Sequence, residues 1–162
     1  MMRTRSYYIF ILAWMLATIA SAVSPATFSA ALKKMYPQAR EVAWNQQGNY
    51  YVATFTLNGF EKKVWMNANA QWVMTNTDLQ TADQLTPSVY NDFTLSRYST
   101  WTVNDVNLMA FPKRAPLYII TVNQDNSVST YQLFYALDGR LLQTRNVSYI
   151  SPALSPEVFD FQ

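Results

Sequence analysis

Tyr50-Tyr51-Val52-Ala53-Thr54-Phe55-Thr56-Leu57-Asn58-Gly59-Phe60-Glu61-Lys62-Lys63-Val64-Trp65-Met66 is the stretch that decides the fold. It is rich in β-branched and aromatic side chains, which suit a pleated, half-buried surface. Asn58-Gly59 interrupts it. Both central residues of a type I′ turn need positive φ, so Asn-Gly is a strong hairpin signal. Two antiparallel strands are predicted, over 49–57 and 60–66. Alternation places Tyr51, Ala53, Phe55 and Leu57 on one face, and Tyr50, Val52, Thr54 and Thr56 on the other. The first set is the more apolar and is expected to pack on a helix. In the next strand Glu61, Lys63 and Trp65 share a face, while Lys62, Val64 and Met66 share the opposite one.

The helix is found just upstream. Ser24-Pro25 is a helix start, because the hydroxyl can cap a free N–H and Pro fits the first turn. Phe28, Ala31, Leu32 and Met35 follow at helical spacing, and Pro37 ends the run. Strands over 40–45 and 71–78 complete a four-strand meander.

The order then recurs downstream. Thr86-Pro87 opens a second helix carrying Val89 and Phe93. Tyr118-Ile119-Ile120-Thr121-Val122 resembles Tyr51-Val52-Ala53-Thr54-Phe55, and Leu133-Phe134-Tyr135 resembles Val64-Trp65-Met66. Strands are predicted over 102–108, 117–123, 127–137 and 140–147, with Asp138-Gly139 as a second hairpin turn. Such ordered self-similarity is the mark of an internal duplication. The expected fold class is therefore α+β, two tandem repeats, each a helix packed on a small four-stranded antiparallel sheet. The expected units are 23–79 and 86–150, joined by a linker over 80–85 and followed by a C-terminal tail over 151–162.

The first 22 residues read as an address. Arg3 and Arg5 form a basic end, an uncharged run follows from Tyr7 to Ile19, and Ala20-Ser21-Ala22 is a small-x-small exit. That combination is a secretory signal peptide, with cleavage expected after Ala22. No Cys follows the apolar run, so a lipid anchor is not indicated. The expected location is periplasmic or secreted, with no stable membrane anchor after cleavage.

Composition narrows the chemistry. The chain has 162 residues, half of them hydrophobic, with a formal charge of +2 and neither His nor Cys. These absences exclude disulfides, Cys nucleophiles, Cys/His zinc sites and a His general base. The excess charge comes from Arg3 and Arg5. Without them, bases and acids balance, so recognition should rest on shape and apolar contact more than on long-range field.

The residues Tyr36-Pro37, Val42-x-Trp44, Tyr50 to Phe55, Gly59-x-Glu61, Val64-Trp65-Met66 and Trp72 resemble the PepSY-like, or β-lactamase-inhibitor-like, family of exported bacterial proteins. Ser96-x-Tyr98-x-x-Trp101-x-Val103-x-Asp105-Val106 resembles the same family's repeat. The resemblance covers roughly 25–147 and implies tandem helix-plus-sheet units, an envelope location and no established catalytic residues. It also implies that the sheets could form a concave face for a protein.

No Gly-x-Ser-x-Gly elbow, Ser-x-x-Lys or Gly-rich phosphate loop is present. Glu41 and Glu61 could meet across the first sheet, but two surface carboxylates are more often solvated charges. Asn67, Asn69 and Asp138 are oxygen ligands in turns, where their turn chemistry is the better explanation. Lys33-Lys34, Lys62-Lys63 and Lys113-Arg114 are isolated pairs, too sparse for nucleic acid. What remains is aromatic. Trp44, Tyr50, Lys63, Trp65, Tyr131 and Phe134 are the candidate interaction surface, weighed against the alternative that the aromatics fill the core. The expected function is a non-catalytic, exported protein- or ligand-binding module of the cell envelope that uses a sheet face. The alternative is a proteinaceous inhibitor of an exported hydrolase or peptidase. No enzyme activity, cofactor or metal is expected. The partner class is an envelope protein or peptide.

Overall fold

The computed structural model describes residues 24–159. The expected leader lies outside the described residues. Strands form where the sequence alternates: β1 (Ala43–Gln47), β2 (Tyr50–Leu57), β3 (Phe60–Met66) and β4 (Trp72–Asp78), then β5 (Thr102–Ala110), β6 (Leu117–Asn123), β7 (Thr130–Ala136) and β8 (Leu141–Asn146). Helices α1 (Pro25–Met35) and α2 (Pro87–Leu95) precede β1 and β5.

The two-unit architecture expected from the sequence is overturned. All the strands belong to one eight-stranded antiparallel sheet in the order β1 to β8. The join is made by β4 and β5, paired from Thr75↔Ala110 to Asp78↔Asn107. The Leu79 N–H extends it, donating to Val106 O at 2.8 Å. Two separate meanders would each leave a bare strand edge, and pairing those edges satisfies the backbone groups of both. The intervening stretch is built in as well: Leu79 and Leu85 are buried in the core beneath α2. The fold class is corrected with it. The helices have only 11 and 9 residues, so the protein is mostly β.

Both helices lie on one face of the sheet. Phe28 and Leu32 of α1 cluster with Ala53, Phe55, Val64 and Met66. Val89 and Phe93 of α2 cluster with Val106, Ile120, Leu133 and Tyr135. Tyr51, Ala53, Phe55 and Leu57 do face α1, as their alternation predicts. The start of α2 is tied to the β7–β8 turn. The Thr86 hydroxyl donates to Leu137 O at 3.0 Å. At Gly139, φ is +97°, and a Cβ there would lie 2.8 Å from Ser88 O, so only glycine fits the contact.

The opposite face is covered in part by residues 152–159. Leu154, Val158 and Phe159 pack on Met109, Phe111, Ile119 and Phe134. Gln132 Nε2 donates to Pro152 O at 2.5 Å, and Arg114 Nη1 donates to Phe159 O at 3.0 Å. The Arg114 guanidinium lies 4.0 Å from the centre of the Phe111 ring, a cation–π contact. Residues 152–159 are thus a third layer, laid over β5 to β7.

Candidate binding cleft

A cleft of about 580 Å³ opens beside this C-terminal stretch, on the sheet face away from the helices. Four adjacent strands contribute most of its lining, joined by Gln47 of β1 and Thr130 of β7. Glu61, Lys63 and Trp65 come from β3, Asn76 and Asp78 from β4, Asp105 and Asn107 from β5, and Thr121 from β6. Register explains the convergence, because Lys63 pairs with Asn76 and Asp78 with Asn107. A bulge between Val103 and Asp105 inserts Asn104, so Asn104 and Asp105 both reach the cleft. Val147 and Leu154 supply an apolar wall.

The floor is polar and incompletely satisfied. Trp65 and Thr121 are only 3% and 5% exposed. Neither Trp65 Nε1 nor Thr121 Oγ1 has a hydrogen-bond partner, and Asn76 Oδ1 has none either. Buried polar groups are normally paired, and an orphan costs about 1–3 kcal/mol. Three orphans lining one cleft are polar capacity held open at one place.

Its charge is unbalanced. Lys63 Nζ pairs with Glu61 Oε1 at 3.0 Å. Asp78 and Asp105 make no ion pair among the described residues. Asn107 Nδ2 donates to Asp105 Oδ2 at 2.5 Å, and the Gln80 N–H donates to Asp78 Oδ1 at 2.8 Å. Burial pushes the Asp105 carboxyl above its usual range. The Asn107 hydrogen bond pulls it down, the nearby Asp78 charge raises it further, and the Val106 N–H and the Lys63 charge lower it to a smaller extent.

The structure divides the sequence-derived surface. Tyr50, Lys63, Trp65 and Phe134 lie on the cleft face, and of these Lys63 and Trp65 line the cleft itself. Phe134 is buried beneath the C-terminal stretch, with its ring 6.1 Å from that of Phe159. Trp44 and Tyr131 lie on the helix face. Trp44 stands edge-on to Phe28 at 6.1 Å, beside a second, mostly apolar groove at the β1 edge. Tyr131 packs against Tyr98 and Trp101, each at 5.8 Å.

The weaker sequence candidates have local roles. Asn67 Oδ1 accepts from the Asn69 and Gln71 N–H groups, and Asp138 accepts from Arg140, so both serve turns. Glu41 and Glu61 line a shallow groove, where Glu61 is held by Lys63. Among the described residues no group of three acidic side chains is placed to hold a metal ion. No helix among them is long and apolar enough to cross a membrane. Sequence reading missed Asn76, Asp78, Asp105, Asn107 and Thr121. A signal was there, since Asn and Asp are depleted inside strands and yet recur here at alternate positions of β4 and β5.

Three solved structures from Bacteroides species share this architecture. A DUF2874 family protein from Bacteroides ovatus is 48% identical, with a TM-score of 0.80 over 85% of this chain and 97% of its own. A candidate periplasmic protein from Bacteroides eggerthii is 37% identical, with a TM-score of 0.74 over 80% and 94%. A BLIP-like protein from Bacteroides fragilis is 35% identical, with a TM-score of 0.77 over 84% and 96%. No family model and no curated protein matches the chain. The last likeness supports the inhibitor-like side of the resemblance seen in the sequence. The PepSY-like description is carried by none of the three.

Proposed function

This chain belongs to the DUF2874 family, and from that footing we propose that it is a non-catalytic binding module of the periplasm whose site is the cleft on the open sheet face. The observation that carries the reading is the set of buried, partnerless polar atoms, Trp65 Nε1, Asn76 Oδ1 and Thr121 Oγ1, gathered at one cleft floor. A bound polar segment would offer partners of the kind these atoms lack within the chain. The ionisable groups of the cleft are carboxylates and one lysine, and the chain has no His or Cys, which favours binding over turnover. The periplasmic description of the Bacteroides eggerthii relative supports the location.

The test is capture from Bacteroides envelope extract by the immobilised protein and by Asn104→Arg. Asn104 is exposed at the cleft mouth, so the change should block entry without unfolding the sheet. A specific partner should be retained by the native chain and lost with Asn104→Arg. Retention by both, or by neither, would refute the assignment of the site.

The BLIP-like relative favours a second reading within the same geometry, inhibition of an exported hydrolase or peptidase. In that case adding the protein to the same extract should lower one hydrolytic activity, and Asn104→Arg should restore it.

A further inference from the structure

Resting on that reading of the cleft, we infer that it takes a basic side chain, lysine or arginine, presented by an extended segment of a protein partner. Three acids and one base line the site, and the base is already committed to Glu61. Lys63 acts on Asp105 only weakly beside the effect of burial, and neither Asp105 nor Asp78 forms an ion pair with it. A carboxylate offers about four lone-pair positions, so each retains capacity beyond the internal hydrogen bond it accepts. Like charges in a partly dry site repel one another, and a cation entering between them relieves that repulsion.

The uncharged groups define the rest of the ligand. Trp65 Nε1 can only donate, so it calls for an acceptor such as a peptide carbonyl. Asn76 Oδ1 can only accept, so it calls for an ammonium, guanidinium or peptide N–H. Thr121 Oγ1 can do either. A peptide carrying a basic side chain supplies both kinds of group together. The apolar wall of Val147 and Leu154 suits the methylene stem of such a side chain.

Other ligands fit less well. Phosphate would meet two unpaired carboxylates, which argues against nucleotides and nucleic acid. Sugars are commonly held against an exposed aromatic face, whereas Trp65 is buried and contributes its N–H.

The test is NMR titration of the isotope-labelled protein, followed at the Trp65 indole N–H. Acetyl-Ala-Lys-Ala-amide and its Arg counterpart are the probes, with acetyl-Ala-Glu-Ala-amide and chitotriose as comparison ligands. The basic peptides should shift the Trp65 signal saturably, and the Glu peptide should not. Asp105→Asn and Asp78→Asn should each weaken binding about tenfold, the loss expected for one charged hydrogen bond. Either variant suffices if the other fails to fold by circular dichroism. No shift at about 10 mM peptide, beyond even millimolar affinity, would overturn the inference. An equal response to the Glu peptide would overturn it, as would a response to chitotriose alone. The envelope capture separates the two claims. A partner held by both the native chain and Asp105→Asn removes the basic-side-chain inference and leaves the binding cleft. Failure to capture any partner removes the cleft reading itself.

Discussion

Phe159→Ala tests whether the C-terminal stretch is part of the core. Phe159 is 2% exposed, lies edge-on to Phe111 at 5.0 Å and to Phe134 at 6.1 Å, and its carbonyl accepts from Arg114. Removing a buried Phe side chain costs about 3–5 kcal/mol in a closed core. Phe159 sits in a short 3-10 turn laid on one sheet face, and such a turn can settle into part of the space left, which puts the expected cost near the lower end, about 3 kcal/mol. For a chain of this size, that corresponds to a fall of roughly 10 °C in Tm. Urea denaturation followed by tryptophan fluorescence gives the free energy, and ANS binding reports on the newly uncovered Phe111 and Phe134. A loss below about 1 kcal/mol with unchanged ANS binding would refute the covering role, since even a modest buried aromatic contributes more.

Two further predictions follow from backbone and charge. Gly139→Ala should cost about 2–4 kcal/mol, combining left-handed strain with an immovable backbone contact at 2.8 Å. Gly48→Ala, where φ is +57° and nothing lies within 4 Å, should cost only about 1 kcal/mol. Equal melting points for the two variants would show that the α2–turn contact has no weight. Asp105 has its pKa raised by burial, so the folded state favours its protonated form. That contribution is present below the unfolded carboxylate pKa, about 3.9, and is lost as pH rises through the folded value. Asp105→Asn should therefore stabilise the protein at neutral pH, with the difference closing as the pH is lowered. A variant less stable than the native chain at neutral pH would contradict it.

Much of the local structure was legible because it depends on neighbours in sequence. The spacing of Phe28 and Leu32 marks α1, and the period of two in β2 assigns Ala53 and Phe55 to the helix side. Lys62 and Lys63, adjacent in sequence, part to opposite faces by the same rule. Lys62 Nζ donates to Thr77 Oγ1 at 2.7 Å on the helix face, while Lys63 reaches the cleft. The cleft was harder to read, since its members come from six strands and only register unites them. Asp105 carries no local sign that it faces Asp78 until β4 is known to pair with β5. The accessible surface was harder still. Phe134 has the alternation of a residue on the open face and does lie there, but Phe159, remote from it in sequence, covers it.

The sequence alone placed the strands, turns and helix starts to within a few residues, with β1 expected over 40–45 and found at Ala43–Gln47, and it told which residues of a strand share a side, because those follow from backbone sterics and a fixed side-chain period. Tertiary structure decided that the strands make one sheet instead of two, that residues 152–159 cover part of its free face, and that carboxylates distant in sequence meet in a cleft. Each of these depends on which edge or apolar patch finds a partner. A bare strand edge accepts any compatible strand, and an apolar face accepts any apolar cover, so the choice falls to the competing long-range contacts.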